Sequence, residues 1–498
     1  NVGLEVERFN AINAMKNEHL KYKNKIYKPA LFFVTVQGIA ICLFVYEYRG
    51  RIILKLKELE IDEKIHNTLG TFYMNDYINY FKELSSSINP RNELQRIDIS
   101  INFKNLQELE CSRKRLKGCN KSGWSDAFLY KNNDVYRIKL RSKGDRDIHR
   151  EDLDTMSFKI DIKGDKKLYG MEEFSLQSPI IRNYTLEPLV ARLLSQEDVL
   201  TPRHKYIRLF LNGKYLGIRH IEEGMGRELV EANKRRYGPI YSLDEKISIN
   251  FNNNPFDLAD KKNWSKQDNG IEREALSILK SSGNNTKLFN KYFDVHRWAK
   301  YMAMLDSFAM FHGTVPKSVK FYLNPVSGLV EPIMFDGHYG TDDFENYILV
   351  DILNKDDRLP DCKWTCANKD FYTLMFGNAT YINHGFVTYY INYLDLFTSK
   401  QYLSEKIIPT WKNLSNVRGN LYRNLHRKDQ LLNRGLLPHV APFSKITQGR
   451  FKYIRNELNH AKSSLPSASI TSNKDGLYIE NTNSRLPQLF SLYCENDF

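Results

Sequence analysis

The sequence lacks most of the patterns that mark a specialised chain. No Gly-X-Y period, sustained heptad array or repeat of about 20–50 residues runs through it, which excludes collagen, long coiled coil and solenoid. Zinc-finger spacing, a basic zipper and an RNA-recognition signature are missing too, so nucleic acid is not an expected partner. Acidic charge is the scarcer sign: 59 Asp and Glu face 73 Lys and Arg, a formal net charge of +14. A basic balance favours anionic partners such as nucleotide phosphates, acidic polymers or a membrane surface. Hydrophobic residues make up 42% and charged residues 27% of the 498, a globular composition that excludes a chain disordered throughout. Aromatics reach 13%, with 30 Tyr and 28 Phe, enough for large cores. The length suits about three or four segments with distinct roles.

Long apolar runs are also scarce, with one exception. Residues 1–29 read as a polar helix, and then Ala30 to Tyr46, ALFFVTVQGIAICLFVY, carries no charge. Its 17 residues lie at the lower edge of what spans a bilayer. Lys21, Lys23, Lys25 and Lys28 precede the run, and Tyr46, Tyr48, Arg49 and Arg51 close it. Interfacial tyrosines and flanking cations suit a transmembrane helix over residues 30–48. The denser positive charge on the N-terminal side puts the N-terminus in the cytoplasm and the rest of the chain outside it. The rival reading is a buried pair of core strands turning at Gly38, which makes a cytoplasmic protein simpler. Six cysteines bear weakly on this choice. The local pairs Cys111/Cys119 and Cys362/Cys366 suit disulfides in an oxidising compartment. Their 7- and 3-residue gaps depart from the paired spacing of a zinc site, the rival use of those thiols.

Residues 49–95 read as a helical linker ending at Asn89-Pro90. From residue 96 the pattern turns to alternation. RIDISINF puts Ile97, Ile99, Ile101 and Phe103 on one face, and DVYRIKLRSKG and MSFKIDIKG alternate likewise, closing on Gly144 and Gly164. Residues 184–197 read as a helix, and KYIRLFLNGKYLGIRHI as a hairpin around Asn212-Gly213. RWAKYMAMLDSFAMFHG reads as a buried helix and VKFYLNPVSGLVEPIMFDG as a second hairpin. Residues 346–463 are helix-rich, and 464–498 form a tail or the start of a further β-module. Strands with an intervening helix, then a helical second half, predict an α+β fold of two lobes with a cleft, a common place for ligands.

Three clusters in that frame have chemical potential. Arg141, Lys143 and Arg146 end one strand, Lys159 lies on the next, and Glu222-Glu223 follow the first hairpin. Fixed cations hold phosphates, and a carboxylate commonly positions such a cation. Each cluster is equally what a solvated strand end looks like. Asp336-Gly337 follows the apolar EPIMF, where a sheet can present a metal ligand to a cleft, although the same dipeptide makes ordinary turns. His312 ends the preceding apolar helix, where a lone histidine is commonly structural.

Taken in order, KLRSKGDRDIH, SFKIDIKGD, GMEEFSLQSPIIRNY, YIRLFLNGKYLGIRHIEE, ELVEANKRRYGPI and FYLNPVSGLVEPIMFDG resemble the CotH kinase family, the spore-coat or secreted atypical protein kinases. The resemblance covers residues 96–345, about half of the chain, and the apolar run before it is similar to that of membrane-anchored bacterial relatives. It implies a two-lobed, reduced protein-kinase-like core at 96–345, with 346–463 as its helical C-terminal part. It also implies an ATP-dependent phosphotransferase that uses Mg²⁺ or Mn²⁺. Asp336 then matches the metal-binding Asp after the second hairpin, and Glu222 and Glu223 match the acidic pair after the first. Lys159 matches the basic residue of SFK, and Arg141, Lys143 and Arg146 match RxKGDR; these four cations are read as facing phosphates.

The sequence departs from the family at the catalytic loop. Where the catalytic Asp is expected, 24 residues before Asp336, stands His312; Asp306 lies further upstream. Lys317 or Ser318 replaces the expected Asn, and His338 replaces the second Asp. His312, or failing that Asp306, is therefore the expected group that orients the acceptor, and Ser318 the second metal-side group. The expected function is a membrane-anchored, extracytoplasmic phosphotransferase with a protein acceptor. Two rivals stand beside it. One is a catalytically impaired scaffold that binds an acidic polymer or an envelope protein. The other is an enzyme that transfers a nucleotidyl group to a protein.

Overall fold

The structure is a computed structural model. It describes residues 82–481 apart from 84, 87–88, 115–122, 145–148, 150–155, 244–255, 265–269, 283–284, 315–317, 338–347, 350–368, 379–380, 425–442, 444, 464–467 and 474–475. The polar helix of 1–29, the apolar run of 30–48, most of the 49–95 linker, Arg146, Lys317 and His338 lie outside the described residues. Among the described residues no helix is long and apolar enough to cross a membrane. The chain divides into a unit of residues 1–82 and a unit of residues 83–498, and all elements named below belong to the second.

Seven strands close into a barrel. They are β1 (Arg96–Ser100), β2 (Ser125–Lys131), β3 (Asp134–Ser142), β4 (Phe158–Lys163), β5 (Glu173–Gln177), β6 (His204–Leu211) and β7 (Lys214–Glu223). Their order around the barrel is β1-β2-β3-β4-β5-β7-β6. The alternation turns one apolar face inward. Ile97, Ile99, Ile138, Leu140, Ile160 and Ile162 line one interior core, while Arg96, Asp98, Arg137 and Lys139 stay on the outside. Each neighbouring pair is antiparallel except β1 with β6, which is parallel and closes the barrel. Closure removes the exposed edges that an open sheet of this length would present. Asn212 and Gly213 both take positive φ, 48° and 83°, as the primed two-residue turn requires. The Asn212 carboxamide also exchanges two 2.9 Å hydrogen bonds with the backbone of Ile101, fixing the β6–β7 turn against the end of β1.

One sequence expectation fails at that end. Phe103 does not continue the buried face of β1, because Asn102 accepts a hydrogen bond from the Asn105 N–H and caps helix α1 (Phe103–Arg113). Phe103 is left 73% exposed as the first residue of α1. Cys111, near the end of α1, is disulfide-bonded.

Helix α2 (Leu186–Gln196), entered through a 3-10 turn at Pro179–Arg182, puts its buried leucines into the core of the helical body rather than the barrel's. The short helix α3 (Arg227–Ala232) follows β7. A second, antiparallel sheet then forms in the order β11-β10-β8-β9, from β8 (Ile240–Leu243), β9 (Phe256–Leu258), β10 (Lys320–Leu323) and β11 (Val330–Ile333). Helices α4 (Ile271–Ser282), α5 (Thr286–Tyr292), α6 (Val295–Ser307), α7 (Lys369–Phe376), α8 (His384–Phe397), α9 (Ser415–Asn424) and α10 (Phe451–Ser463) make up the helical body. Its core is separate from the barrel's and far more aromatic, with Trp298, Phe321, Phe371 and Phe386 among its members. Helix α6 is buried nearly all round, as its sequence predicts, and it stops where Ala309 turns left-handed at φ 53°. A last hairpin pairs Ala468–Asn473 with Gly476–Asn481. Barrel, second sheet and helical C-terminal half together make the α+β class that the sequence predicts; the closed seven-stranded barrel is an addition to it.

Candidate functional site

The barrel's register assembles the first part of the site. Arg141 on β3 lies opposite Lys159 on β4, Lys159 opposite Ser175 on β5, Ser175 opposite Glu222 on β7, and Glu222 opposite His204 on β6. Directly opposed residues share a face, so two cations, a hydroxyl, a carboxylate and a histidine form one row across five strands. The row lies on the outside of the barrel, since Leu140, Ile160 and Ile221 beside it point into the core.

Glu222 is where that row meets the rest of the site. Its side chain is 1% exposed and accepts a fork from Arg182, Nε to Oε1 at 2.7 Å and Nη2 to Oε2 at 2.9 Å. Gln177 Nε2 adds a bond of 3.1 Å and Lys143 Nζ one of 3.3 Å. Arg182 reaches two further carboxylates. Its Nε lies 3.3 Å from Glu187 Oε1, in the first turn of α2, and its Nη1 pairs with Asp336 Oδ1. Arg182, Glu187 and Glu222 form the closed floor of the cluster. Lys143 and Asp336, 25% and 22% exposed in their side chains, form its open rim.

Asp336 follows β11 and adopts φ 53°, a left-handed conformation that is strained for an aspartate and turns the chain at the rim. The turn is pressed against the segment that ends α6. A Cβ on Gly313 would lie 2.9 Å from Leu305 and 3.1 Å from the Gly337 Cα, so glycine is needed for this approach. The approach brings His312 Nδ1 to 2.8 Å from the Asp336 carbonyl oxygen and 3.4 Å from its Oδ2, with Ser318 Oγ 3.2 Å away. A carbonyl only accepts, so Nδ1 donates to it, and in the neutral ring the lone pair resides on Nε2.

A third set of cations surrounds the Phe335 ring. Lys320 Nζ lies 5.0 Å from its centroid, the Arg182 guanidinium carbon 5.2 Å and Lys143 Nζ 5.9 Å. Three cations thus lie around one aromatic ring, beside the partly exposed Asp336 carboxylate.

The charges tune one another. Burial raises the Glu187 carboxyl to about 8, although Arg182 opposes the shift. Burial pushes Glu222 the same way, but there Arg182 and Lys143 prevail and hold it well below the usual carboxylate range. Burial lowers the Lys143 ammonium despite Glu222. Burial also disfavours the charge on Arg182, yet Glu187, Glu222 and Asp336 outweigh it and keep the guanidinium charged. On the far side of Glu222, His204 and His220 stack with their ring nitrogens 2.9 Å apart, and burial lowers His204 to about 4.

The structure brings together Lys143, Glu222, Asp336, His312 and Ser318 from four separate parts of the sequence. Arg141 and Lys159 share the row, but Arg141 lies over Trp124 and Lys159 pairs with Glu173 at 2.6 Å. Glu223 points away from Glu222, as the period of a strand demands, and is held by Arg203. Asp306 is buried elsewhere, between Arg450 Nη2 at 2.5 Å, the Tyr390 hydroxyl and the Leu349 N–H at 2.9 Å. Arg182, Glu187, Gln177, Lys320 and Phe335 escaped the sequence reading. Only Arg182, a lone cation in the apolar SPIIRNY, left a trace there.

Among the described residues no group of three or more His, Cys, Asp or Glu side chains is arranged to hold a metal ion. The donors present are nonetheless hard oxygens, the Asp336 carboxylate and the Ser318 hydroxyl, and a buried Glu187 Oε2 without a hydrogen-bond partner lies close by. Mg²⁺ needs no full protein cage, because it commonly takes one or two carboxylates and completes its shell with phosphates and water. The residues therefore fit such an ion.

No curated protein matches the chain. The family described as CotH kinase protein does match, over residues 140–410, a stretch that runs from Arg141 through Glu222 and Asp336 into the helical body. That stretch is more than half of the 498 residues, and it holds every residue of the cluster just described, so the chain belongs to the CotH kinase family.

Proposed function

We propose that the protein is an ATP- and divalent-metal-dependent phosphotransferase acting on a protein, with the barrel and the helical body as the two lobes of a reduced kinase. The observation that carries the reading is the convergence of Lys143, Arg182 and Lys320 on Phe335, next to Asp336. Cations at fixed distances suit a phosphate chain, and the row of Arg141 and Lys159 extends the positive surface toward it. Glu222 holds Lys143 and Arg182 in place. Asp336 and Ser318 are the residues that would hold the divalent ion, which when bound with nucleotide neutralises phosphate oxygens. His312, whose Nδ1 donates to the Asp336 carbonyl at the turn, is the residue that would orient an acceptor hydroxyl.

The membrane reading of residues 30–48, with the body extracytoplasmic, stays part of the proposal. The disulfide at Cys111 supports an oxidising compartment.

One observation favours the scaffold reading. Asp306, the carboxylate alternative to His312, is locked by Arg450 and Tyr390 and cannot face an acceptor. The two readings separate in a calorimetric titration of ATP, with and without Mg²⁺ or Mn²⁺, into the wild-type full chain and Asp336→Ala. Metal-dependent binding that is lost in the folded variant supports the phosphotransferase. Unchanged nucleotide affinity in the variant removes Asp336 from the site, and no binding with any metal leaves the scaffold.

A further inference from the structure

The mouth of the barrel where β1 and β6 begin is built differently from its interior. On β2 the inward positions run Ala127, Leu129 and then Lys131, and on β6 they run back through Leu209 and Ile207 to Lys205. The last inward position of each strand at this end is thus a lysine. Both ammoniums gather on one ring: Lys131 Nζ lies 4.4 Å and Lys205 Nζ 4.8 Å from the centroid of Tyr169. Their separation cannot exceed the two distances together. On β3 the corresponding inward residue is Tyr136, and Lys166 Nζ lies 5.6 Å from its ring while donating to the Val135 carbonyl at 2.9 Å.

The Tyr169 ring is fixed in place. Its backbone adopts φ 54°, a strained conformation for a bulky residue. Its hydroxyl donates to Gln95 Oε1 at 2.6 Å, and the carbonyls of Tyr169 and Gly170 accept from Arg203 Nη1 and Nη2 at 3.1 and 3.0 Å. The carboxylates around the mouth are engaged elsewhere. Glu223 holds Arg203, Glu228 pairs with Lys167, and Glu172 is drawn to Lys167 and Lys163. Asp134, across the β2–β3 turn from Lys131, faces Tyr136. Among the described residues no carboxylate forms an ion pair with Lys131, Lys166 or Lys205, although Lys143, Lys159 and Lys163 of the same barrel each have one. Like charges gathered on one ring repel each other until an anion joins them, and the mouth of a barrel is a common place for a ligand.

We propose that this mouth binds a phosphate group between Lys131 and Lys205, with Lys166 at its margin. Ammoniums are point charges that suit a doubly charged tetrahedral oxyanion, whereas a planar carboxylate is best met by an arginine fork, and Arg203 has given its own to Glu223. The two lysines point inward, so the site is separate from the outward row of Arg141 and Lys159. The phosphate belongs either to a phosphorylated side chain or to a chain of phosphates, and the chemistry at the mouth is the same for both.

The test is calorimetric titration of phosphoserine and of tripolyphosphate, in EDTA, into the full chain. The variants are Lys131→Gln/Lys205→Gln at the mouth, Lys159→Gln in the outward row, and Lys406→Gln/Lys452→Gln, which removes the same charge from exposed positions outside the barrel. The wild type binds at least one probe, and the mouth variant binds it about tenfold more weakly or worse. The row variant and the charge control keep wild-type affinity. Tyr169→Leu weakens binding several-fold and Tyr169→Phe does not, because the ring gathers the lysines. Phosphoserine binding identifies a phosphorylated side chain as the source, and binding of tripolyphosphate alone identifies a phosphate chain. No binding by the wild type overturns the proposal, as does equal affinity in the mouth variant. An equal loss in the charge control overturns it too, since net charge alone would then account for the binding. A loss confined to Lys159→Gln moves the phosphate to the outward row and overturns the mouth site, leaving the phosphotransferase reading intact.

Discussion

The barrel and the helical body treat charge in opposite ways. Ile, Leu, Met and Phe line the barrel's interior, and its ion pairs Arg96–Asp98, Lys159–Glu173 and Lys163–Asp161 sit outside, in partial contact with water. The helical body instead buries the Asp306–Arg450 pair, both side chains at most 2% exposed, and stacks the buried Arg418 guanidinium 3.7 Å over Trp411. Strands receive their geometry from the backbone ladder, so side chains on the outer face are free to carry function. Helices have no such ladder between them and use a few directional side-chain contacts to fix how they dock, at a cost in desolvation. The candidate site draws on both. Backbone register aligns Arg141, Lys159 and Glu222, and side-chain ion pairs bring Arg182, Glu187 and Asp336 to meet them.

This contrast can be broken or sharpened by measurement. The largest effect is expected from Asp306→Ala, which leaves the Arg450 guanidinium buried without its carboxylate and should cost about 3–5 kcal/mol in urea unfolding. The next comes from the seam between the regions. His204 is half-buried against His220, with Glu222, Arg182 and Arg192 nearby, and desolvation lowers its pKa from 6.5 to about 4. The unfolded chain takes up this proton below pH 6.5 while the folded protein refuses it until about pH 4. Stability should therefore hold above pH 6.5 and fall as pH drops through this window, by about 3 kcal/mol for this residue. A His204→Gln variant should show a flatter pH profile; equal slopes would remove His204 from the account. The smallest effect belongs to the barrel surface. Lys159→Ala should cost less than about 1 kcal/mol, because its partner Glu173 is well hydrated. If Lys159→Ala and Asp306→Ala cost the same, the two regions do not differ in the way described.

The legible and illegible parts divide along the same line. Strands β1, β3, β4 and the β6–β7 hairpin could be read because period-two alternation and Asn212-Gly213 are local signals. Helix α6 was legible for the same reason, as an apolar run of helical length. The pairing of β1 with β6 was not, because it joins residues such as Arg96 and Arg208 and leaves no trace in either segment. In the site, Asp336, Glu222, Lys143 and His312 stood out as strand-end or helix-end polar residues. Glu187 could not, since Glu in a first helical turn reads as an ordinary dipole partner. What makes it unusual is the absence of water around it, which depends on the barrel, α2 and the Asp336 turn at once. Asp306 looks like a catalytic alternative in the sequence because its distance from Asp336 is visible there and its partner Arg450, 144 residues away, is not.

The parallel seam between β1 and β6 has a consequence for the nascent chain. Strands β1 to β5 emerge from the ribosome as an open, curling sheet with β1 unpaired on one side and β5 on the other. Neither edge has its partner until the β6–β7 hairpin has been synthesised, because that hairpin is the closing stave that meets both. At about 5–20 residues per second the wait lasts several seconds. During that time the row of Arg141, Lys159 and Ser175 lacks Glu222 and His204, and its two bare margins are strand edges of the kind that pair with other chains.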